Sequence, residues 1–179
     1  MFKRVTASLT FLVLLAIGIS YGIKDAETEN KSDAAAIPVN LEQGPEVGSK
    51  APDFQLPTLD GEIIRLSDLK GKKIMLNFWT TWCPPCKAEM PDMQKFYTEE
   101  GEQIKILAVN IDTDYDVAGF VKEMKINFPV LLDNDESVMK QYRILTIPTT
   151  FFIDENGTIQ NKFIGAMSID KMKELTQEL

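Results

Sequence analysis

The chain contains no histidine and only two cysteines among its 179 residues. The absence of histidine excludes Ser-His-Asp and Cys-His nucleophile systems, and it excludes zinc and haem sites that use a histidine ligand. Two cysteines alone cannot supply the four ligands of the usual structural zinc site. The chemistry that remains for this pair is that of a dithiol and its disulfide.

Positive charge is also scarce, since 19 Lys and Arg stand against 27 Asp and Glu, which gives a net charge of -8. Phosphate binding depends on clustered Lys and Arg, and no basic stripe is present, so we expect no nucleic-acid partner. The acidic run at residues 112–116 superficially suggests a calcium loop. It lacks the glycine and the final glutamate of such a loop, so we expect a helix-capping turn and no metal site.

Only the N-terminus has a long uncharged run, at residues 5–23. As a helix these residues would span about 28 Å, close to the ~30 Å hydrocarbon core of a bilayer. Lys3 and Arg4 precede the run and acidic residues follow it. This charge order predicts a single-pass cell-membrane anchor over residues 1–24, with a cytoplasmic N-terminus and an extracytoplasmic domain. A cleaved signal peptide is the alternative, because residues 18–20 and 20–22 are small-x-small tripeptides.

Residues 25–44 are polar and lack an apolar period, which predicts a flexible linker. From residue 45 to residue 179 apolar runs alternate with helical patterns, which predicts one α/β domain with a mixed β-sheet and helices on both faces. The first two strands form a hairpin, and an Asn-Gly turn at 156–157 joins the last two. Strands are predicted at residues 51–57, 62–66, 73–79, 104–110, 128–132, 149–154 and 159–164, and helices at 84–100, 116–125, 136–142 and 169–179.

Both cysteines lie in Cys83-Pro84-Pro85-Cys86, between a buried strand and a helix, which is the sequence signature of a thioredoxin-like redox motif. A cysteine at a helix N-terminus lies near unpaired N–H groups and the positive end of the helix dipole, which favour the thiolate. We therefore expect Cys83 to be the exposed attacking sulfur and Cys86, one turn further on, to be the buried resolving sulfur. Pro84 suits the first helical position.

On these motifs the chain resembles the thioredoxin-like superfamily, and within it the ResA-type extracytoplasmic thiol-disulfide oxidoreductases. The resemblance covers residues 45–179. It rests on Phe-Trp-x-x-Trp-Cys-Pro-Pro-Cys-Lys at 78–87, Ile-Pro-Thr-Thr-Phe at 147–151 and Ala-Pro-Asp-Phe at 51–54. It implies a thioredoxin-like fold with an added N-terminal β-hairpin, and a redox-active disulfide in place of any cofactor.

The resemblance also implies a substrate site. Pro148 would be a cis-proline whose loop lies beside the dithiol, and Ile147 would offer its backbone to an extended substrate segment. Trp82, with Pro84 and Pro85, would form the substrate-facing surface. We expect Trp79 to be a core residue and Lys87 to be a solvated charge.

Two positions distinguish this chain from ordinary thioredoxins. Thioredoxins have a buried aspartate where this chain has Asn77, and the change removes the usual internal proton acceptor. Glu89 lies three residues after Cys86 on the same helical face, and the resemblance implies that this glutamate acts near the cysteines. Our hypothesis is that Glu89 manages the proton on Cys86 and shifts both thiol pKa values. The alternative is an exposed helix glutamate.

The resulting expectation is a membrane-tethered enzyme that reduces protein disulfides. The resemblance points to the haem-binding cysteines of apocytochrome c as substrate, and to a membrane thiol-transfer protein as the source of electrons. A thiol peroxidase is a second possibility, because the Ala-Pro-Asp-Phe segment occurs in that branch too. A non-catalytic binding protein with the thioredoxin fold is a third.

Overall fold

The computed structural model describes residues 44–112 and 114–179. The predicted anchor and all but the last residue of the predicted linker lie outside these ranges. Within the described part of the chain, every helix is too short or too polar to span a bilayer. The boundaries of the three predicted segments therefore stay predictions.

The described chain opens with the predicted N-terminal hairpin. Strands β1 (Gln55–Pro57) and β2 (Ile63–Arg65) pair antiparallel and are shorter than predicted. A 3-10 turn over Leu66–Leu69 follows. The N–H of Leu59 donates to the carbonyl of Val130 at 3.0 Å, and this bond joins the hairpin to the edge of the main sheet.

The main sheet has the order β5-β4-β3-β6-β7. Its strands are β3 (Lys73–Trp79), β4 (Ile104–Asn110), β5 (Val130–Leu132), β6 (Thr149–Ile153) and β7 (Ile159–Ile164). The first three are parallel, and β6 and β7 add antiparallel, so the predicted mixed sheet is confirmed. The central strands are buried on both faces, which explains why their sequences are almost continuously apolar.

Four helices surround the main sheet in the described chain: α1 (Pro84–Glu100), α2 (Val117–Glu123), α3 (Ser137–Gln141) and α4 (Ile169–Gln177). α1 has the predicted bounds and continues through Pro91. The other three are shorter than predicted at one or both ends. Asp116 and Ser168 cap α2 and α4 through their side chains, as their positions predicted.

Alternation along β3 separates two apolar cores. Ile74, Leu76 and Phe78 face the side that Val138 of α3 covers, whereas Met75 and Trp79 face α1 and α4. Helices therefore pack on both faces of the sheet, as predicted. By the same alternation, Asn77 lies between Met75 and Trp79 on the α1 face, where it is fully buried. The fold thus places one amide side chain beneath the helix that begins at the dithiol.

Candidate active site

The dithiol lies at the N-terminus of α1. Cys83 is the N-cap residue with an extended backbone, and its Sγ accepts a hydrogen bond from the N–H of Cys86 at 3.2 Å. Pro84 occupies the first helical position, where a backbone N–H would have no intrahelical partner. Cys83 and Cys86 form a disulfide with their Cα atoms 5.3 Å apart. The α1 amides and helix dipole therefore face Cys83 Sγ, which favours its thiolate after reduction.

The expected exposure of Cys83 is wrong for this disulfide form. Cys83 is 3% exposed and Cys86 is fully buried. The Cys83 sulfur is bonded to Cys86, packs within the core under α1, and lies 3.8 Å from the carbonyl oxygen of Ile147. A residue 64 positions away in the sequence therefore lies against this sulfur.

The covering segment is the loop before β6. The Ile147–Pro148 peptide bond is cis, which confirms the expectation for Pro148. The carbonyl of Pro148 accepts a hydrogen bond from the N–H of Gly165 at 2.8 Å, so this loop is fixed to the end of β7. Leu145, two residues before Ile147, is 95% exposed, and its sequence context gave no indication of this. The loop therefore presents the Ile147 carbonyl beside the disulfide and an exposed apolar side chain two residues earlier.

Trp82, Pro84 and Pro85 are exposed around the disulfide, as the substrate-facing assignment requires. Trp82 also borders an open groove of about 480 Å³, together with Tyr115 and Phe120. Lys87 Nζ lies 5.8 Å from the centre of the Phe120 ring, and its exposure agrees with a solvated charge.

A larger cavity, of about 510 Å³, opens beside Ile74 and Gly157. Ile74 is at the start of β3, whereas the dithiol follows the end of that strand. Of the two concavities, the groove beside Trp82 is the one lined by a residue adjacent to Cys83 in the chain.

Glu89 is buried beneath the dithiol end of α1, with 1% of its surface exposed. Its Oε1 accepts a hydrogen bond from Asn77 Nδ2 at 3.0 Å, and its Oε2 accepts one from the N–H of Met167 at 3.2 Å. Burial raises the pKa of Glu89 to about 7, although both hydrogen bonds act in the opposite direction. The structure therefore contradicts an exposed helix glutamate. At neutral pH this carboxyl group can either accept or release a proton.

Asn77 has a role that its sequence position did not reveal. The sequence indicated only the loss of an internal proton acceptor, whereas the structure shows a donor to Glu89. Asn77 Nδ2 also donates to Thr150 Oγ1 at 2.9 Å. Thr150 and Met167 were missed, since only folding brings Thr150 to Asn77 and Met167 to Glu89. Thr150 is the direct cross-strand partner of Asn77, so the strand register was the signal that could have found it.

Asp112 supports the segment before Cys83. It is 4% exposed, and its Oδ2 accepts hydrogen bonds from the N–H of Thr81 at 2.7 Å and from Asn110 Nδ2 at 3.1 Å. Sequence reasoning placed Asp112 in a capping turn and missed this contact. Within the described residues, no group of acidic or sulfur side chains could hold a metal ion. Two acidic side chains of the run have structural contacts, since Asp116 caps α2 and Asp112 accepts a hydrogen bond from the N–H of Thr81.

Fold and dithiol together define a thioredoxin-like oxidoreductase. Residues 47–162 match the AhpC/TSA family. The thiol-disulfide oxidoreductase ResA of Oceanobacillus iheyensis is 46% identical over 133 residues, which cover 71% of this chain and 69% of that protein. The ResA of Geobacillus thermodenitrificans is 41% identical over 174 residues, covering 96% and 94% of the two chains. The chain therefore belongs to the AhpC/TSA family.

A solved structure is also similar to this chain. The crystal structure of StoA from Bacillus subtilis is 40% identical and superposes with a TM-score of 0.64, covering 72% of this chain and 98% of that chain. The resemblance to ResA-type thiol-disulfide oxidoreductases is thereby confirmed. Enzymes of this class act on protein disulfides and use a cysteine pair as the redox group, which here is Cys83–Cys86. The alternative of a non-catalytic binding protein loses its support.

Proposed function

We propose that this protein is an extracytoplasmic, membrane-tethered reductant of protein disulfides, with the haem-binding cysteines of apocytochrome c as its substrate. The observation that supports it most is the position of the dithiol. Cys83 Sγ lies at the N-terminus of α1 and 3.8 Å from the carbonyl of Ile147, where an extended substrate backbone can meet the sulfur.

The reaction transfers two electrons from the reduced dithiol to the substrate. The Cys83 thiolate attacks one sulfur of the substrate disulfide, forms a mixed disulfide and releases the first substrate thiolate. Cys86 then loses its proton and attacks Cys83 Sγ. This step closes the Cys83–Cys86 disulfide and releases the second substrate thiolate, so the substrate gains the two electrons that the enzyme loses.

Glu89 is the proton acceptor for the second step. Cys86 is fully buried in an apolar cluster, where a thiol keeps its proton unless a base is close. Glu89 lies three residues later on the same buried face of α1, and its pKa of about 7 suits proton transfer at neutral pH. In this assignment the carboxylate takes the Cys86 proton as the mixed disulfide resolves.

The substrate is proposed on the family resemblance and on the surface around the disulfide. Haem attachment to c-type cytochromes uses a Cys-x-x-Cys-His segment, whose two cysteines must be reduced first. We propose that such a segment binds in extended form at the exposed Trp82 and the Ile147–Pro148 loop. The exposed Leu145 would contact its apolar residues.

The location is proposed on the uncharged run at residues 5–23 and the charges on either side of it. Outside the cytoplasm an exposed dithiol becomes oxidised, so a reductase there needs a continuous supply of electrons. We therefore include a membrane thiol-transfer protein that reduces the Cys83–Cys86 disulfide after each turnover.

The test compares two substrates and two variants. The reduced protein should reduce both insulin and an oxidised Cys-x-x-Cys-His peptide, with the peptide preferred, and Cys83→Ser should abolish both reactions. Cys86→Ser should instead accumulate a mixed disulfide with the peptide, visible by mass spectrometry. Equal trapping in both variants would contradict the assigned roles. Consumption of hydrogen peroxide at a comparable rate would favour the thiol peroxidase.

Location is tested separately in cells. Fractionation should place the full-length chain in the membrane, and a membrane-impermeant maleimide should label Cys83 of the reduced protein in intact cells. Protection of Cys83 until the cells are lysed would contradict an extracytoplasmic site. A mature chain shortened by about two dozen residues would favour the signal peptide over the anchor.

A further inference from the structure

The side-chain amide of Asn77 has hydrogen-bond partners for its donor group but not for its acceptor oxygen. Its Nδ2 donates both hydrogens, one to Glu89 and one to Thr150. Its Oδ1 is buried and has no hydrogen-bond partner among the described residues. Leaving a buried acceptor unpaired is unfavourable, so an arrangement that persists with such an atom calls for an explanation.

The protonation state of Glu89 supplies an explanation for this unpaired oxygen. An ionised carboxylate only accepts hydrogen bonds, and the observed Nδ2 orientation suits that state. A protonated carboxyl group carries an O–H that needs an acceptor, and Nδ2 cannot provide one. A half-turn of the amide about its last side-chain bond would exchange Nδ2 for Oδ1 and place an acceptor beside Glu89.

Thr150 is compatible with both orientations. A hydroxyl group donates one hydrogen bond and accepts others. Thr150 Oγ1 now accepts from Nδ2, and it could donate to Oδ1 after the half-turn. A residue with only donors or only acceptors at this place would favour one orientation permanently. The Thr150 hydroxyl can bond to the amide in either orientation.

We propose that Asn77 is a positioning residue whose amide reverses when Glu89 gains a proton, donating through Nδ2 to the carboxylate and accepting through Oδ1 from the acid. Glu89 then keeps a hydrogen bond with Asn77 of β3 in both states, as acceptor when ionised and as donor when protonated, while the N–H of Met167 binds its other oxygen. The proposal rests on the proposed role of Glu89, since it explains how that side chain can exchange a proton without leaving its place.

The surroundings of Glu89 make this amide the relevant partner. Along α1 the nearest titratable residues in sequence are Cys86, Lys87 and Asp92. Lys87 is exposed with its Nζ 5.8 Å from the Phe120 ring, and Asp92 accepts a hydrogen bond from the N–H of Ile169 at 3.3 Å. From β3, β6 and the loop before α4, Glu89 meets an amide side chain, a hydroxyl-bearing neighbour of that amide, and a backbone N–H. In the described chain the pKa of Glu89 is shifted by burial and by these hydrogen bonds, with no contribution from a charged side chain.

The experiment is a titration by NMR of the full-length oxidised protein, in which neither cysteine ionises. Glutamate carboxyl carbons are labelled with ¹³C and asparagine side-chain amides with ¹⁵N, and signals are assigned with Glu89→Gln and Asn77→Leu. We expect the Asn77 amide signals to shift with the same midpoint as the Glu89 carboxyl carbon. The amide of Asn110, which binds a different carboxylate, serves as the reference.

Two variants of similar size test the positioning role. Asn77→Leu removes a donor that stabilises the carboxylate, so the Glu89 midpoint should rise by about one pH unit. Asn77→Asp also removes the donor and adds a second acid, so the pair should titrate in two separated steps. Thr150→Ser retains the hydroxyl and should leave the wild-type midpoint unchanged. If one Asn77 variant fails to fold, the other provides both the assignment and the test.

The outcomes separate this proposal from the function of Glu89. Asn77 amide signals that stay constant while Glu89 titrates would overturn the reversal, and an unchanged midpoint in the Asn77 variants would overturn the positioning role. Both measurements, the Asn77 amide signals and the Glu89 midpoint, are made on the oxidised protein and require no catalytic turnover. If instead Glu89→Gln leaves both thiol pKa values of the reduced protein unchanged, the proposed function of Glu89 fails while the coupling to Asn77 stands.

Discussion

Two buried carboxylates in this domain, Glu89 and Asp133, have opposite consequences. Both are almost fully covered, and burial raises the pKa of each. Asp133 accepts from the N–H groups of Val138 and Met139 at 3.2 and 2.7 Å and from Ser137 Oγ at 3.3 Å. These donors belong to α3, so Asp133 satisfies the N-terminus of a helix.

Glu89 has fewer donors and a more apolar setting. Its two hydrogen bonds come from Asn77 and from the N–H of Met167, within the core cluster that contains the cysteines. The comparison teaches that burial alone does not make a carboxyl group functional. Two of the donors to Asp133 are backbone N–H groups of α3, which cannot turn, whereas under our proposal the Asn77 amide beside Glu89 can reverse.

The largest expected effect comes from Asp133→Ala. The variant leaves the N–H groups of Val138 and Met139, in the first turn of α3, without their acceptor, and Val138 is buried. We expect the free energy of unfolding to fall by about 3 to 4 kcal/mol, with the redox activity of the folded fraction within about twofold of wild type. Urea denaturation measures the first quantity. A loss of activity with unchanged stability would contradict the distinction drawn here between Asp133 and Glu89.

The second prediction concerns pH. The pKa of Glu89 is raised from 4.5 to about 7 on folding, so the folded state binds the proton more tightly than the unfolded state. Its contribution to stability is therefore complete below pH 4.5 and is lost as the pH rises through 7. Between pH 5 and pH 8 the oxidised protein should lose about 2.5 kcal/mol more than Glu89→Gln does.

Urea denaturation of both proteins across that range checks this difference. Other groups titrate in wild type and variant alike, so their effects cancel in the comparison. Parallel stability curves for the two proteins would show that Glu89 titrates in the folded state much as it does in the unfolded chain. The contrast between Glu89 and Asp133 would then disappear.

The third prediction is kinetic. Glu89→Gln keeps the shape of the side chain but cannot take the Cys86 proton, so resolution of the mixed disulfide at pH 7 should slow about 30-fold, or about 2 kcal/mol in the barrier. Attack by Cys83 should change much less. Rapid-mixing experiments with a disulfide peptide separate the two steps, and Asp133→Asn is the matched control. Equal slowing of both steps would assign Glu89 a general structural role.

The sequence was sufficient for the parts of the site that follow from local patterns. The continuous apolar run of β3, the Cys-x-x-Cys motif and Pro84 at the first helical position together predicted the strand, the dithiol and the beginning of α1. Each of these depends on residues that are adjacent in the chain. The resemblance added the cis peptide before Pro148, which spacing alone could not have shown.

Contacts between distant segments could not be predicted in this way. The burial of Cys83 depends on Ile147, and the environment of Glu89 depends on Thr150 and Met167, all of which are more than 60 residues away in the chain. The predicted beginning of α3, at Glu136, is one residue too early for a similar reason. Glu136 has a left-handed backbone, and Asp133 accepts the hydrogen bonds that mark the start of the helix.

Asp112 extends the comparison to a third buried carboxylate and gives the smallest expected effect. Its Oδ2 accepts from the N–H of Thr81 and from Asn110, while its Oδ1 is buried without a partner in the described part of the chain. Asp112→Asn can still accept both bonds through its amide oxygen, but it loses their charge-assisted strength. We expect a loss of about 1 kcal/mol in stability and a change of only a few-fold in peptide reduction.

Whether this small effect falls on KM, on the thiol pKa values or on stability alone decides whether Asp112 resembles Glu89 or Asp133. Thr81 lies two residues before Cys83, so a looser Thr81 peptide should raise KM for the peptide while leaving resolution by Cys86 unchanged. The thiol pKa values should also stay at their wild-type positions, because Asp112 bonds to the loop and not to Glu89. Altered thiol pKa values in Asp112→Asn would place this carboxylate with Glu89 in proton transfer, and a pure stability loss would place it with Asp133.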